Sequence, residues 1–252
     1  KDVSLLNKKD QNNKIIKSAV ALGGFSNITH AKDIIATLFM QVGNSIIAEK
    51  DGFFSSVLSN SSNLGSVLQF YTDFSNPLSV SYSWNKSFPE SSRAFSSDDL
   101  ALYFGYASEL PSLINRNPNQ NFLAAPMPEF QNANIKVTFA HVTGIAVSAF
   151  SKNIPAAVTV AGLLSNGDFP AKLATSLSVA PARRDLLAGR PTDAYFPVFY
   201  SSALYARSWL DPAPLNTDDI FKGMVENIIS NTMTTDNAIL DANAKLELLL
   251  SK

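Results

Sequence analysis

Hydrophobic and polar positions in the first third of the chain alternate between the spacing of strands and that of helices. The β-branched, apolar run at 14–22 ends at Gly23-Gly24, which predicts a strand that enters a tight turn. Helical spacing follows at 29–43, with Thr29 as the expected N-terminal cap. A second amphipathic helix is predicted at 61–77, where it ends before a proline.

Shorter elements are predicted through the middle of the chain. A helix near Ser91–Phe95 leads into a strand at Leu100–Phe104, and a further apolar run predicts a strand at Phe122–Ala125. Residues 135–150 are rich in β-branched side chains and predict extended chain. The segment 151–165 has a proline where a first helical turn begins, which predicts a helix.

The final third of the chain is predicted to be helical. Helices are expected at Val198–Leu210, Thr217–Ser230 and Thr235–Leu250, with Thr217 capping the second. Because strands alternate with helices over the whole length, the pattern favours an α/β fold.

Composition excludes some classes of function but does not identify the function of the protein. The chain has 252 residues, a formal net charge of −1 and no cysteine. The balanced charge gives no reason to expect a nucleic acid or an anionic membrane as partner. The absence of cysteine removes thiolate catalysis and thiolate metal sites. His30 and His141 are the two histidines of the sequence, and they stand far apart along the chain.

Motifs that carry catalysis are missing or incomplete. The segment Ser83-Trp84-Asn85-Lys86 has the S-x-x-K spacing of penicillin-recognising enzymes, but the K-T-G companion is absent. The sequence also contains no G-x-S-x-G, no phosphate-binding P-loop, no dinucleotide fingerprint and no H-E-x-x-H. We therefore expect no enzymatic activity, no cofactor and no bound metal.

Aromatic and polar side chains recur where predicted strands end and predicted helices begin. Aromatic faces beside hydroxyl, amide and guanidinium groups suit sugars and other polar solutes. The alternative is that these aromatics pack in the core, which is common for tyrosine and tryptophan at helical spacing. The candidate ligand-binding residues are Phe25, Asn27, Trp84, Tyr106, Ser108, Glu109, Tyr205, Arg207 and Trp209.

Four segments taken in order resemble the extracellular solute-binding proteins, family 1, of bacterial ABC importers, the group that includes maltose-binding protein. They are SAVALGGFSNITHAKDIIATLFMQVG, SSRAFSSDDLALYFGYAS, VTGIAVSAFSKNIPAAVTVAGLL and SLSVAPARRDLL. The first is similar to the family's strand, ligand loop and helix, and the second to its helix, strand and binding loop. The third is similar to a strand followed by a helix. The resemblance spans nearly the whole chain.

The resemblance implies a periplasmic-binding-protein-like (type II) fold, with two α/β lobes around a solute cleft. Residues 1–130 would form the first part of the C-terminal lobe, 131–190 a segment of the N-terminal lobe, and 191–252 the helical return to the C-terminal lobe. It also implies that the opening part of the N-terminal lobe and a signal peptide lie outside this sequence.

By the same resemblance, the protein would capture a small polar solute, a sugar or oligosaccharide, for an ABC permease in the membrane. It would be a monomer, extracellular or periplasmic, and anchored through a lipoprotein signal outside this sequence. Trp209 and Tyr106 would stack on the solute, Asn27, Ser108 and Arg207 would donate hydrogen bonds, and Glu109 would accept one. The alternative is a surface, structural or sensory binding protein on the same fold.

Overall fold

A computed structural model describes residues 2–12, 14–61, 63–131, 133, 135–189 and 191–251. The helices are α1 (Asp2–Leu6), α2 (Ala31–Gln41), α3 (Leu64–Thr72), α4 (Ser91–Ser96), α5 (Leu110–Arg116), α6 (Ile154–Ser165), α7 (Phe169–Ser176), α8 (Phe196–Ala203), α9 (Pro214–Ile229) and α10 (Thr235–Leu250). The strands are β1 (Lys8–Lys9), β2 (Ile15–Val20), β3 (Ile47–Lys50), β4 (Phe53–Ser56), β5 (Leu100–Leu102), β6 (Thr138–Phe139) and β7 (Ala206–Arg207). The mixture of helices and strands confirms the predicted α/β class.

The strands form three small sheets. In the first, β2 lies between β1, which is antiparallel to it, and β5, which is parallel to it. Strands β3 and β4 form an antiparallel hairpin, and β6 pairs in parallel with β7 across a long stretch of sequence. The parallel pairs β2–β5 and β6–β7 each need a crossover, which the intervening helices provide.

Periodic segments gave the most accurate predictions. The predicted helix Thr235–Leu250 is α10, and β2 and α2 lie inside the ranges expected for them. Both predicted caps are wrong. Helix α2 begins after His30, whose backbone is left-handed (φ 61°), while the Thr29 hydroxyl donates to Glu90 instead. Helix α9 begins at Pro214, so Thr217 lies inside it, fully buried.

Apolar runs without clear periodicity gave the wrong predictions. Residues 122–125 form no strand. The segment 135–150, predicted as extended chain, contains the short strand Thr138–Phe139 and no helix, so that prediction is not contradicted. The helix expected at Val198–Leu210 ends at Ala203, because the chain turns there and enters β7. In each case the tertiary partner, and not the local apolar content, decides whether extended or helical chain forms.

The core joins the first half of the chain to its last two helices. Helix α10 packs against α9, α3 and the β3–β4 hairpin, and buried side chains of β2 and α2 complete the same cluster. Tyr71 is fully buried in it, and its hydroxyl donates to the Gly24 carbonyl at 2.8 Å. Gly23 has φ +92°, and a Cβ there would lie 2.5 Å from the Ser75 backbone nitrogen, so this turn requires glycine.

Residues 138–213 contribute little to this core. Helix α6 has no buried residue, although its sequence is almost wholly apolar. Its side chains at Val158, Val160 and Leu163 are 55%, 54% and 68% exposed. Helix α6 contacts α7 and is partly covered there, but an apolar helix with this much exposed surface is typical of a segment that has a further packing partner. The division of the chain into lobes at 131 and 190 stays a prediction.

Within the described ranges, no helix combines the length and the apolar content that crossing a membrane requires.

Candidate functional site

The candidate site lies where the parallel strands β2 and β5 end. They are parallel and their register pairs Ser18 with Leu100, so both strands end at the same edge of the sheet. The chain leaving β2 turns at 23–24 and enters α2, while the chain leaving β5 continues through 103–109 into α5. Ligands of open α/β sheets bind beyond this carboxyl edge.

A cavity of about 680 Å³ opens beside this edge. Its walls come from the start of α2, the chain after β6, the loop after β7 and the first turns of α9. Its aromatic and imidazole side chains are Phe25, His30, Phe139, His141 and Trp209, and its charged side chains are Lys32, Asp33, Asp211, Asp218, Asp219 and Lys222. The volume falls within the range of about 300–1,000 Å³ found for small-molecule sites.

Trp209 forms the aromatic wall of this cavity. Strand β7 pairs with β6 and delivers the chain to a loop on which Trp209 stands. The Trp209 ring is stacked on Phe221 of α9, with centroids 6.0 Å apart and planes inclined by 27°. Phe221 is fully buried, so it fixes one face of the indole and leaves the half-buried ring at the cavity.

Lys32 links the start of α2 to the start of α9 at the cavity. Its Nζ donates to Asp211 Oδ2 at 2.9 Å, to the Pro214 carbonyl at 2.9 Å and to Thr217 Oγ1 at 3.0 Å. These bonds tie the first turn of α2 to the first turn of α9. The ammonium therefore positions both helix starts, and with them the loop that carries Trp209.

Asp33 is the centre of a polar cluster at the cavity. The Tyr106 hydroxyl donates to Asp33 Oδ2 at 2.6 Å, and His141 Nε2 lies 3.7 Å from the same oxygen. His30 Nδ1 lies 3.9 Å from it. The Tyr106 ring contacts both imidazoles, with centroids 4.6 Å from His30 and 4.8 Å from His141. Burial, and then the hydrogen bond to Asp33, raise the pKa of Tyr106, so the phenol stays protonated and donates.

Glu109 closes the cluster from the loop after β5. Its carboxylate accepts from His30 Nε2 and from the Tyr103 hydroxyl, the latter at 2.7 Å. Partial burial raises the pKa of Glu109, but these hydrogen bonds outweigh it, and the net pKa lies below the ordinary value. Glu109 is therefore ionised at neutral pH and committed to two donors.

Two predicted ligand residues lie outside the cavity lining, Trp84 in the core and Asn27 half-buried beside it. Trp84 has no exposed surface, is stacked on Phe88 at 4.7 Å, and donates from Nε1 to Asn27 Oδ1 at 3.2 Å. Asn27 Nδ2 donates to the carbonyls of Asn85 and Phe88, both at 3.0 Å. The Asn27 amide is thus used to hold the 84–88 segment, and solute contact by Trp84 and Asn27 stays a prediction.

The other predicted residues divide between the cavity and its surroundings. Phe25 lines the cavity with Trp209, although it is only 6% exposed. Ser108 is exposed outside the cavity lining, and the Tyr205 ring lies 4.5 Å from Lys136 Nζ. Arg207 is exposed and donates to the Ala206 carbonyl at 2.9 Å. The predictions for these side chains stay untested.

The charged side chains of the cavity are not among the ligand-binding residues predicted from the sequence. Lys32 and Asp33 lie on the first turn of a helix that directly follows a strand and a glycine turn, and that position is a general signal for ligand contact. Asp211 and His141 carry no comparable signal, because long crossovers bring them to the site. Among the described residues, no group of three or more His, Asp or Glu side chains is placed to hold a metal ion.

Comparison with known proteins identifies the fold. No protein-family model and no curated protein sequence matches the chain. A solved cyclo/maltodextrin-binding protein complexed with maltotetraose is similar at a TM-score of 0.75 and 16% identity, covering 98% of this chain and 62% of that one. A putative oligosaccharide periplasmic-binding protein from Synechococcus sp. MITs9220 is similar at a TM-score of 0.64 and 18% identity, covering 93% and 61%.

A third similar structure is an ABC transporter solute-binding protein from Thermotoga lettingae TMO bound with α-D-tagatose. It has a TM-score of 0.61 and 17% identity, and the match covers 90% of this chain and 59% of that one. The chain therefore has the fold of periplasmic solute-binding proteins, and it spans about three fifths of the length of these structures.

Proposed function

We propose that the protein captures a sugar or oligosaccharide in the cavity at Trp209 and delivers it to an ABC permease in the membrane. The observation that carries the proposal is this cavity of about 680 Å³, at the carboxyl edge of the sheet, in a chain with the solute-binding fold. The three solved structures are solute-binding or oligosaccharide-binding proteins, and two of them hold a sugar.

The chemistry of the cavity suits a polyhydroxylated solute. The Trp209 ring offers an apolar face to the C–H face of a sugar ring. Asp218 and Asp219 on α9 bring carboxylate acceptors to the cavity lining, and Lys222 brings an ammonium donor. Burial raises the pKa of Asp218, and Asp219 and Asp33 raise it further against the opposing effect of Lys32. The cavity thus presents donors and acceptors around an aromatic face.

We infer that the protein is a binding protein and not an enzyme, and that it acts outside the cytoplasmic membrane, held there by a lipid anchor. We also propose that 131–190 belongs to a second lobe, because α6 is apolar and has no buried residue. Closure of two lobes on the solute would then cover the exposed side of Trp209.

The first experiment is a thermal-shift screen of the protein expressed from its complete gene against mono- and oligosaccharides, polyols and peptides. A ligand that binds only the folded protein stabilises it by mass action, by about 2.7 kcal/mol when the ligand concentration is about a hundred times Kd. The melting temperature rises accordingly. We expect one sugar class to raise it and the other solutes to leave it unchanged.

Iodide quenching of tryptophan fluorescence then locates the solute. Trp84 is fully buried and shielded from iodide, so the quenching that is lost in Trp209→Phe reports Trp209. The sugar should protect Trp209, and Trp209→Ala should abolish binding, while Phe150→Ala, at a ring that is 96% exposed and outside the cavity, should not affect it. If every solute fails in both assays, the proposal is wrong. Binding without uptake through a reconstituted permease would favour a sensory or structural role instead.

A further inference from the structure

A second cavity, of about 420 Å³, adjoins the first. It lies among the start of α2, the chain before and within α4, and helix α5. The contact between His30 and Glu109 separates the two cavities, because His30 lines the first and Glu109 lines the second. The linings of the two cavities meet at this contact.

The acidic side chains of the second cavity already have partners. Glu109 accepts from His30 and from Tyr103, and Glu90 Oε1 accepts from the Thr29 hydroxyl at 3.1 Å. Their oxygens are thus partly occupied by donors of the protein itself. Glu109 is the more committed of the two, since both of its oxygens accept a hydrogen bond.

The basic side chains of the second cavity have no acidic partner among the described residues. Within the part of the chain that the structure describes, neither Arg93 of α4 nor Arg116 of α5 forms an ion pair. Arg116 Nη1 donates to Ser92 Oγ at 3.2 Å and Nη2 to Ser112 Oγ at 3.5 Å, which brings its guanidinium towards α4 and leaves its other N–H groups as free donors. Two guanidinium groups on neighbouring helices therefore line one cavity with free donors.

We propose that the second cavity is a subsite for an oxyanion carried by a saccharide, and specifically for the carboxylate of a uronic acid unit. The inference rests on the proposed function, because it treats the second cavity as an extension of the first. A planar guanidinium matches a carboxylate with two parallel hydrogen bonds, and such charge-assisted bonds are about twice as strong as neutral ones. The hydroxyl of Ser112 adds a further donor at the cavity wall.

The test compares acidic oligosaccharides with their own methyl esters, which keep the rings and remove the charge. Trimers of galacturonate, glucuronate and mannuronate, each as free acid and as methyl ester, are titrated calorimetrically into the protein expressed from its complete gene. In at least one series we expect the acid to bind about tenfold tighter or more than its ester. Because the arginines are exposed, that preference should shrink as salt rises.

Arg93→Gln and Arg116→Gln are the diagnostic variants. Each should weaken binding of the acid several-fold and leave binding of the ester unchanged. Arg183→Gln is the matched control, because Arg183 pairs with Asp185 at 2.6 Å and lines neither cavity. Far-UV circular dichroism and melting temperatures establish that the variants fold.

Each outcome decides the matter. Equal affinity for acid and ester, or arginine variants that bind the acid normally, would overturn the inference and leave the proposed function intact. Binding of neutral sugars with no binding of either form in any series would do the same. If inorganic phosphate binds the arginine pair as tightly as the acid does, the subsite holds a free anion and the saccharide assignment is wrong. If no saccharide binds at all, both the inference and the proposed function fall.

Discussion

Substitution of Trp84 separates a structural tryptophan from a ligand-binding one. Trp84 is fully buried, its ring stacks on Phe88 at 4.7 Å, and its Nε1 donates to Asn27 at 3.2 Å. Trp84→Ala removes all of this contact and leaves a cavity, which costs about 3–5 kcal/mol of unfolding free energy. Since domains are stable by about 5–15 kcal/mol, the variant should lose about a fifth or more of its stability.

Two further variants are compared with Trp84→Ala. Trp84→Phe keeps an aromatic ring against Phe88 and loses the hydrogen bond to Asn27, so it should cost about 1–2 kcal/mol. Trp209→Ala should cost about 1–2 kcal/mol as well, because the ring is only partly buried and loses chiefly its stack on Phe221.

Urea unfolding followed by far-UV circular dichroism measures these differences without depending on tryptophan emission. The order Trp84→Ala, then Trp84→Phe and Trp209→Ala, is the expected result. A loss below about 1 kcal/mol for Trp84→Ala, or an equal loss for Trp209→Ala, would refute the assignment of Trp84 to the core.

Three other predictions follow from single contacts. Tyr106→Phe removes the 2.6 Å bond to Asp33 and should lower the unfolding free energy by about 1.5–3 kcal/mol in urea, while an unchanged value would refute this bond. The folded-state pKa of Glu109 is depressed below 4.5, so its contribution to stability is complete above pH 4.5 and is lost as pH falls through the folded value. Unfolding measured from pH 7 to 3 should therefore show a shallower loss in Glu109→Gln, and identical slopes would contradict it. Gly23→Ala should cost more than Gly43→Ala in calorimetric melting, because both have positive φ but only Gly23 faces a backbone clash.

Much of the fold could be predicted because its elements carry their own periodic signal. Helices α2 and α10 bury one face each, and β2 is a β-branched run that ends at a glycine turn. Such patterns persist in the folded protein because burial of the apolar face is what stabilises the element. The helix ends were predicted less well, since a left-handed His30 or a proline can start a helix without a side-chain cap.

The candidate site was predicted only in part. Trp209 and Phe25 line the cavity, whereas Trp84 and Asn27 bond to each other outside its lining. Lys32 and Asp33, which line it, were not predicted. An aromatic side chain at a strand end can point to the core or to the cavity, and its orientation depends on how the neighbouring side chains pack. Sequence spacing does not contain that information.

The sequence by itself determined the α/β class, the main helices and the solute-binding type of fold, because these depend on hydrophobic period and on the order of motifs along the chain. The tertiary structure decided which side chains meet. Asp33 lies beside Tyr106 and His141, and Lys32 beside Asp211, only because parallel pairing of β2 with β5 and of β6 with β7 brings distant segments to one edge. Such contacts depend on packing and crossover geometry between segments, so the sequence pattern of either segment alone does not predict them.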